Sequence, residues 1–171
     1  MKKSILAIVV SLMCGFMCAC GENVEFTQIT CGNHQFRYSD IGDTIDEVIA
    51  AEPETMQKQL DATNSKGLLP AGKAYLMYKN ITLEGCNCDL TYEISDDQLV
   101  GGLFLFKTPD AKKMYKNLVK YYEKKLDTKA IKTPMGGYIS ANNMMYVFLF
   151  DDDSVSLDIY DSTYYFTEIA K

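Results

Sequence analysis

Apolar residues recur along this chain in three rhythms: one unbroken run, several period-two alternations and one long helical repeat. The unbroken run is Ile5 to Met17. Alternation first shows at Phe26–Ile29 and His34–Tyr38, two short predicted strands broken by Cys31-Gly32-Asn33. Thr44 and Glu47 then sit at capping-box spacing, and Ile45, Val48 and Ile49 form one apolar helical face behind them. Pro53 interrupts or restarts this helix, and a second amphipathic turn is expected to run to about Leu60. Thr63 to Gly72 holds Asn, Ser, two Gly and a Pro, which reads as a loop.

Strand patterns dominate next. Ala74–Leu83 and Asp89–Ile94 are predicted strands, the second with Leu90, Tyr92 and Ile94 on one face. Ser95 to Gln98 is a turn, and Leu99–Phe106 is apolar on both faces, as a central strand should be. Thr108-Pro109-Asp110 opens the longest helix, with Thr108 as N-cap and Pro109 at the first helical position. Ala111, Met114, Tyr115, Leu118, Val119, Tyr122 and Leu126 recur at helical spacing over about 18 residues, and lysines 112, 113, 116, 120, 124 and 125 fill much of the rest. Pro134, Gly136 and Gly137 mark a loop, followed by a hairpin of Met144–Phe150 and Val155–Ile159 around an acidic turn.

These elements predict an α+β fold, an antiparallel β-sheet with helices packed on one face and the other face partly open. The expected organisation is a signal segment at 1–19, a tether at 20–25 and a single domain at 26–171. Each half gives a helix followed by a hairpin with an acidic turn, an echo too loose to read as a repeat.

Composition narrows the function classes. The 171 residues carry 17 Lys+Arg and 23 Asp+Glu, a formal charge of -6. That balance argues against a nucleic-acid partner, which needs clustered basic residues. A single histidine, His34, disfavours His-based catalysis and multi-His metal sites. The apolar run has a cationic start, Lys2-Lys3, and small residues after it, the layout of a secretory signal peptide. It is short for a spanning helix, which needs about 20 residues. Loss of 1–19 removes Lys2 and Lys3 and no acid, so -6 becomes -8 for the exported domain.

Met17-Cys18-Ala19-Cys20 resembles the lipobox of bacterial lipoproteins. The resemblance implies a diacylglycerol on the Cys20 thiol, acylation with palmitate-type chains and cleavage before Cys20. Membrane attachment through Cys20 would place the domain at a bacterial cell envelope, with the outer membrane favoured and either face open. Gly42-Asp43-Thr44, Glu47-Val48 and Pro53 resemble the start of small lipoproteins of the SmpA/OmlA type, which share a shape with the β-lactamase-inhibitor protein. The similarity runs from Gly42 to Phe106 and implies a non-catalytic envelope domain that binds another protein.

The remaining candidates are the cysteines, the acidic turns and the aromatics. Cys31, Cys86 and Cys88 are left after export, and an oxidising compartment favours a disulfide from Cys31 to either Cys86 or Cys88. The thiols of Cys86-Asn87-Cys88 are expected on opposite faces of a strand, so a soft-metal site using both, with the methionines, is set aside. Asp151-Asp152-Asp153 and Asp96-Asp97 lack EF-hand spacing and read as solvated turns. His34 has no nucleophile motif and reads as a surface strand residue. No cofactor, metal or catalytic residue is expected, and the chain is not expected to be an enzyme. Tyr121-Tyr122 and the tail Tyr160, Tyr164, Tyr165 and Phe166 would form an exposed surface if one sheet face is open. The leading expectation is an accessory module that binds an envelope protein through that face; the alternative is a small-ligand or glycan-binding module using exposed tyrosines.

Overall fold

The computed structural model describes residues 26, 28, 29, 32, 34–61 and 69–170. The signal segment 1–19, the tether 20–25, Cys20 and Cys31 lie outside the described residues. A two-residue hairpin comes first, β1 (Gln35–Phe36) and β2 (Ser39–Asp40), then helix α1 (Ile45–Ala51). Four strands follow: β3 (Lys58–Asp61), β4 (Lys73–Leu83), β5 (Cys86–Ser95) and β6 (Gln98–Lys107). Helix α2 (Ala111–Lys125) leads to four more, β7 (Ile131–Thr133), β8 (Gly136–Ala141), β9 (Met144–Phe150) and β10 (Ser154–Asp161). A short α3 (Ser162–Tyr164) runs into a π-helical turn at Tyr165–Ile169.

Strands β3 to β10 form one sheet of eight strands in the order β3-β4-β5-β6-β10-β9-β8-β7, and every pairing is antiparallel. The content is mixed, an α+β fold. The loose echo of the sequence is a topological repeat: α1 then the meander β3–β6, α2 then the meander β7–β10. The last strands of the two meanders, β6 and β10, pair along the middle of the sheet. Local chemistry sets the hairpins. Glu84-Gly85, Asp96-Asp97 and Asn142-Asn143 all have positive φ, the geometry of tight turns whose twist matches the flanking strands. Asp and Asn tolerate that conformation better than other side-chain-bearing residues.

The strands β4, β5, β6, β9 and β10 fall close to their expected bounds, and the Thr44/Glu47 capping box forms, with Thr44 N–H donating to Glu47 at 2.9 Å. Four expectations are corrected. Phe26–Ile29 is not a strand, since Gln28 and Ile29 form bends. The turn expected to reach Leu60 as helix is strand β3, because α1 stops at its cap Glu52 before Pro53 and Lys58–Asp61 pairs with β4. The helix N-cap is Asp110, with Thr108 accepting from the Asp110 N–H at 3.3 Å just before it, and the helix spans 15 residues. Gly136 and Gly137 are inside strand β8, where the expected loop shrinks to Pro134-Met135. Gly136 is there because a Cβ would lie 2.9 Å from the carbonyl carbon of Phe148, so only a bare backbone fits beside β9.

Alternation puts Leu76, Tyr92, Phe104, Tyr146 and Ile159 into the core, all fully buried. Helix α2 buries Ala111, Met114, Leu118 and Tyr122, and the Tyr122 ring lies 5.2 Å from Tyr146 and 5.7 Å from Phe148. Phe36 from β1 packs on Tyr92 and Phe104, 5.0 and 4.9 Å away, above Gly102, where a Cβ would come within 2.6 Å of the Phe36 ring. A buried ion pair pins the same corner. Arg37 Nη1 lies 3.2 Å from Glu52 Oε2 as a charge contact without hydrogen-bond alignment, and the Tyr92 hydroxyl donates to that oxygen at 2.6 Å. The turn after β1, the cap of α1 and strand β5 therefore meet at one carboxylate.

Cys86 and Cys88 both point into the core, which corrects the expectation of opposite faces: residues two apart in a strand share a face. Burial pushes the Cys88 thiol up to about 12, and its Sγ donates to the Asp89 carbonyl at 3.4 Å.

The closeness of Phe36 and the Thr91 carbonyl to Gly102 makes a specific prediction. Gly102→Ala is expected to destabilise the fold by about 2 kcal/mol by overpacking. Urea unfolding checks this, and an unchanged midpoint would show that β6 shifts at little cost.

Candidate functional site

The face of the sheet turned away from α2 carries the candidate site. Strand register puts Tyr138, Val147, Asp158, Leu103, Thr91 and Met77 in one row across six strands. None of the six is fully buried. Leu149, Ser156, Leu105 and Asp89 form the next row. The strip is thus apolar at Met77, Leu103, Leu105, Val147 and Leu149, with a carboxylate, Asp158, near its middle. Burial pushes the Asp158 carboxyl up to about 6, with the nearby Glu93 charge adding and the Ser156 hydroxyl opposing. Its Oδ1 has no hydrogen-bond partner.

A third row runs Met145, Tyr160, Gly101, Glu93 and Tyr75. Here the C-terminal segment folds back over the sheet. The Tyr164 hydroxyl donates to Glu93, the Tyr75 hydroxyl donates to the same oxygen at 3.4 Å, and Lys73 Nζ donates to the Tyr164 hydroxyl. The Lys73 ammonium also sits 4.2 Å from the Tyr164 ring centroid, a cation–π contact. Glu93 is only 7% exposed as a result, and burial holds Tyr75, Tyr160 and Tyr164 above the usual phenol range, with the Glu93 charge adding to it and, at Tyr164, the hydrogen bond to Glu93 ahead of that charge. They stay neutral donors around one carboxylate. Tyr160 stacks on Tyr164 at 6.2 Å. Gly101 makes room for this, since a Cβ there would lie 2.8 Å from the Tyr160 Cα. Between the C-terminal turn and the sheet is a groove of about 450 Å³ lined by Lys73, Tyr75, Glu93, Tyr160, Tyr164 and Glu168. The C-terminal segment buries none of its own residues fully, and Phe166 stays 60% exposed.

The structure distributes the sequence candidates unevenly. Tyr160 and Tyr164 come together in the groove, while Tyr121 and Tyr122 lie on α2, with Tyr122 in the core. His34 is exposed in a turn with positive φ, not in a strand, because the β1–β2 hairpin begins one residue later. Asp151, Asp152 and Asp153 are exposed between β9 and β10, and Asp96-Asp97 is the β5–β6 turn. Among the described residues no group of three or more His, Cys, Asp or Glu could hold a metal, and no helix is long and apolar enough to cross a membrane. Sequence reasoning missed Glu93 and Asp158. The available signal was a carboxylate at an outward position of a strand whose neighbours on both sides, Tyr92 and Ile94 for Glu93 and Leu157 and Ile159 for Asp158, are apolar.

The chain matches no family model, no curated protein and no solved structure.

The Asp158 carboxyl fixes the sign of one pH effect. Its folded value, about 6, lies above the ordinary 3.8, so the folded chain holds a proton that the unfolded chain releases between these values. Its contribution to stability is therefore lost as pH rises from about 4 to 6. Asp158→Asn is expected to match the parent near pH 4 and exceed it by about 2 kcal/mol at pH 7. Urea unfolding at both pH values tests this; an equal gap at both would show that Asp158 does not titrate in this way.

Proposed function

We propose that this protein is a lipid-anchored envelope protein whose domain binds another protein through the open face of its sheet, as an accessory module and not as an enzyme. One observation carries the binding half: the row Tyr138, Val147, Asp158, Leu103, Thr91 and Met77, a part-exposed strip of mainly apolar side chains across six strands. In this reading α2 covers the core side over Tyr146 and Phe148, the C-terminal turn covers the Glu93 row of the other face, and the strip beside that row is left to a partner. A flat strip of this kind suits protein docking, with apolar anchors inside a polar rim. The anchor half rests on the lipobox resemblance at Met17-Cys18-Ala19-Cys20, where acyl chains would hold the domain at a bilayer with about 0.8 kcal/mol per buried CH₂. Export would also favour the disulfide from Cys31 to Cys86 or Cys88.

A second reading has its own observation. The groove beside Glu93 offers neutral tyrosine donors, a buried carboxylate and an ammonium within one concavity, which suits a small polar ligand or glycan. The two readings separate by mutation, since the strip and the groove occupy different rows of the sheet.

Two measurements test the proposal. Radiolabelled palmitate is expected to enter the chain and processing to be sensitive to globomycin, both lost in Cys20→Ala; normal processing of that variant sinks the anchor. A photocrosslinking residue at Leu103 is expected to capture a second envelope protein in the membrane, and Val147→Asp to reduce the adduct by about tenfold or more. Only uncrosslinked monomer from the Leu103 position, with binding of a sugar or small molecule lost in Tyr164→Ala, would transfer the function to the groove.

A further inference from the structure

The charge of this protein is segregated. Helix α2 carries six lysines and one glutamate, net +5, while residues 20–171 together are -8; everything outside α2 is therefore -13. The six lysines are all exposed. Lys113, Lys116, Lys120 and Lys124 follow i, i+3, i+7, i+11 spacing and form a stripe opposite the buried Met114, Leu118 and Tyr122. Among the described residues, the acids on or beside this helix are Glu123, Asp110 and Asp127. Glu123 is held by Lys129 at 3.1 Å, and Asp110 and Asp127 stand at the two ends of the helix.

The chain enters the domain beside this stripe. The Phe26 ring packs edge-on against Tyr121 at 5.2 Å, the Tyr121 hydroxyl donates to the Phe26 carbonyl at 3.1 Å, and the Tyr122 hydroxyl donates to the Ile29 carbonyl at 3.1 Å. Tyr121 lies on the flank of α2, between its buried face and its lysines. Six residue steps lead from Cys20 to Phe26, a reach of at most about 20 Å, close to the length of α2 itself, about 22 Å. An anchor at Cys20 would thus keep the entry side of α2 within that reach of a membrane surface, from which the stripe can settle into the surface potential of anionic lipid.

We infer that the lysine stripe of α2 rests on an anionic lipid surface, so that the anchored domain stands on this helix and turns its open sheet face away from the bilayer. The inference rests on the proposed anchor at Cys20. Two forces give the same orientation: anionic headgroups attract the +5 helix and repel the -13 remainder, while the short tether joins the domain on the α2 side. A partner then approaches from the aqueous side, where the strip around Leu103 is displayed.

The test is amine reactivity. The chain as produced, with its N-terminal modification, is reconstituted in vesicles of phosphatidylcholine alone or with about one-third phosphatidylglycerol and treated with a water-soluble acetylating reagent. Peptide mass spectrometry is expected to find Lys113, Lys116, Lys120 and Lys124 protected about threefold or more in the anionic vesicles, with Lys58 and Lys107 on the opposite side of the sheet unchanged, and high salt to erase the protection. Equal labelling in both vesicles, or protection shared by Lys58 and Lys107, overturns the inference. Failure of the anchor reads out separately, as an intact mass without the diacylglyceryl group on Cys20. In that case the soluble chain is floated with the same vesicles. Salt-sensitive flotation with anionic vesicles alone, lost in K116E/K120E/K124E of unchanged circular dichroism, supports the lysine stripe, and no flotation overturns it.

Discussion

The structure depends on the antiparallel pairing of β6 with β10. Each meander alone is a four-stranded sheet with a free inner edge, a row of unpaired N–H and C=O groups. Seven residue pairs from Ser154–Lys107 to Tyr160–Gly101 join the two edges and leave only β3 and β7 at the rims of the sheet. The seam succeeds because β6 is bare at its end. Gly102 lets Phe36 close down on the core side, and Gly101 lets the backbone of β10 approach on the other. The same two glycines thus serve opposite faces, one for packing and one for the site.

On the core side, the consequence is a corner held by charge. Arg37 and Glu52 are both buried, and removal of one partner from such a pair leaves an uncompensated charge, far costlier than losing a surface ion pair. The Tyr92 hydroxyl bonded to Glu52 is pushed above the ordinary phenol range, chiefly by burial and then by that charge. Phe36 packs over Gly102 against Tyr92 and Phe104, and Arg37 follows it in sequence, so the β1–β2 hairpin is locked to the sheet by one aromatic and one guanidinium.

Much of this was legible in the chain. The capping box, the amphipathic α2, the five long strands and the acidic turns are local patterns, and local chemistry decided them. What escaped was decided by neighbours distant in sequence. Lys58–Asp61 carries one apolar residue, Leu60, and becomes a strand because β4 offers it an edge. Gly136-Gly137 looks like a loop until β9 is placed beside it. The i, i+2 geometry of Cys86 and Cys88 was readable and was misjudged. The groove was half legible: its tyrosines stood out in the tail, but Glu93 looked like any outward strand residue until Tyr164, 71 positions later, folded onto it.

The two carboxylates of the open side show how far position changes chemistry. Asp89 and Asp158 are both outward aspartates on central strands. Asp89 accepts from Lys107 at 2.8 Å and from the Asn80 amide at 2.9 Å, and these bonds outweigh its partial burial and lower its pKa. Asp158 has hydrocarbon on either side in its row, Val147 and Leu103, and an unpartnered oxygen, and it moves the other way. A buried polar atom without a partner costs free energy that the fold alone does not recover. Protonation lowers that cost, because the neutral acid is cheaper to bury than the carboxylate. Two aspartates on the same side of one sheet thus end in opposite electrostatic settings, and the neighbours that each strand register supplies decide which.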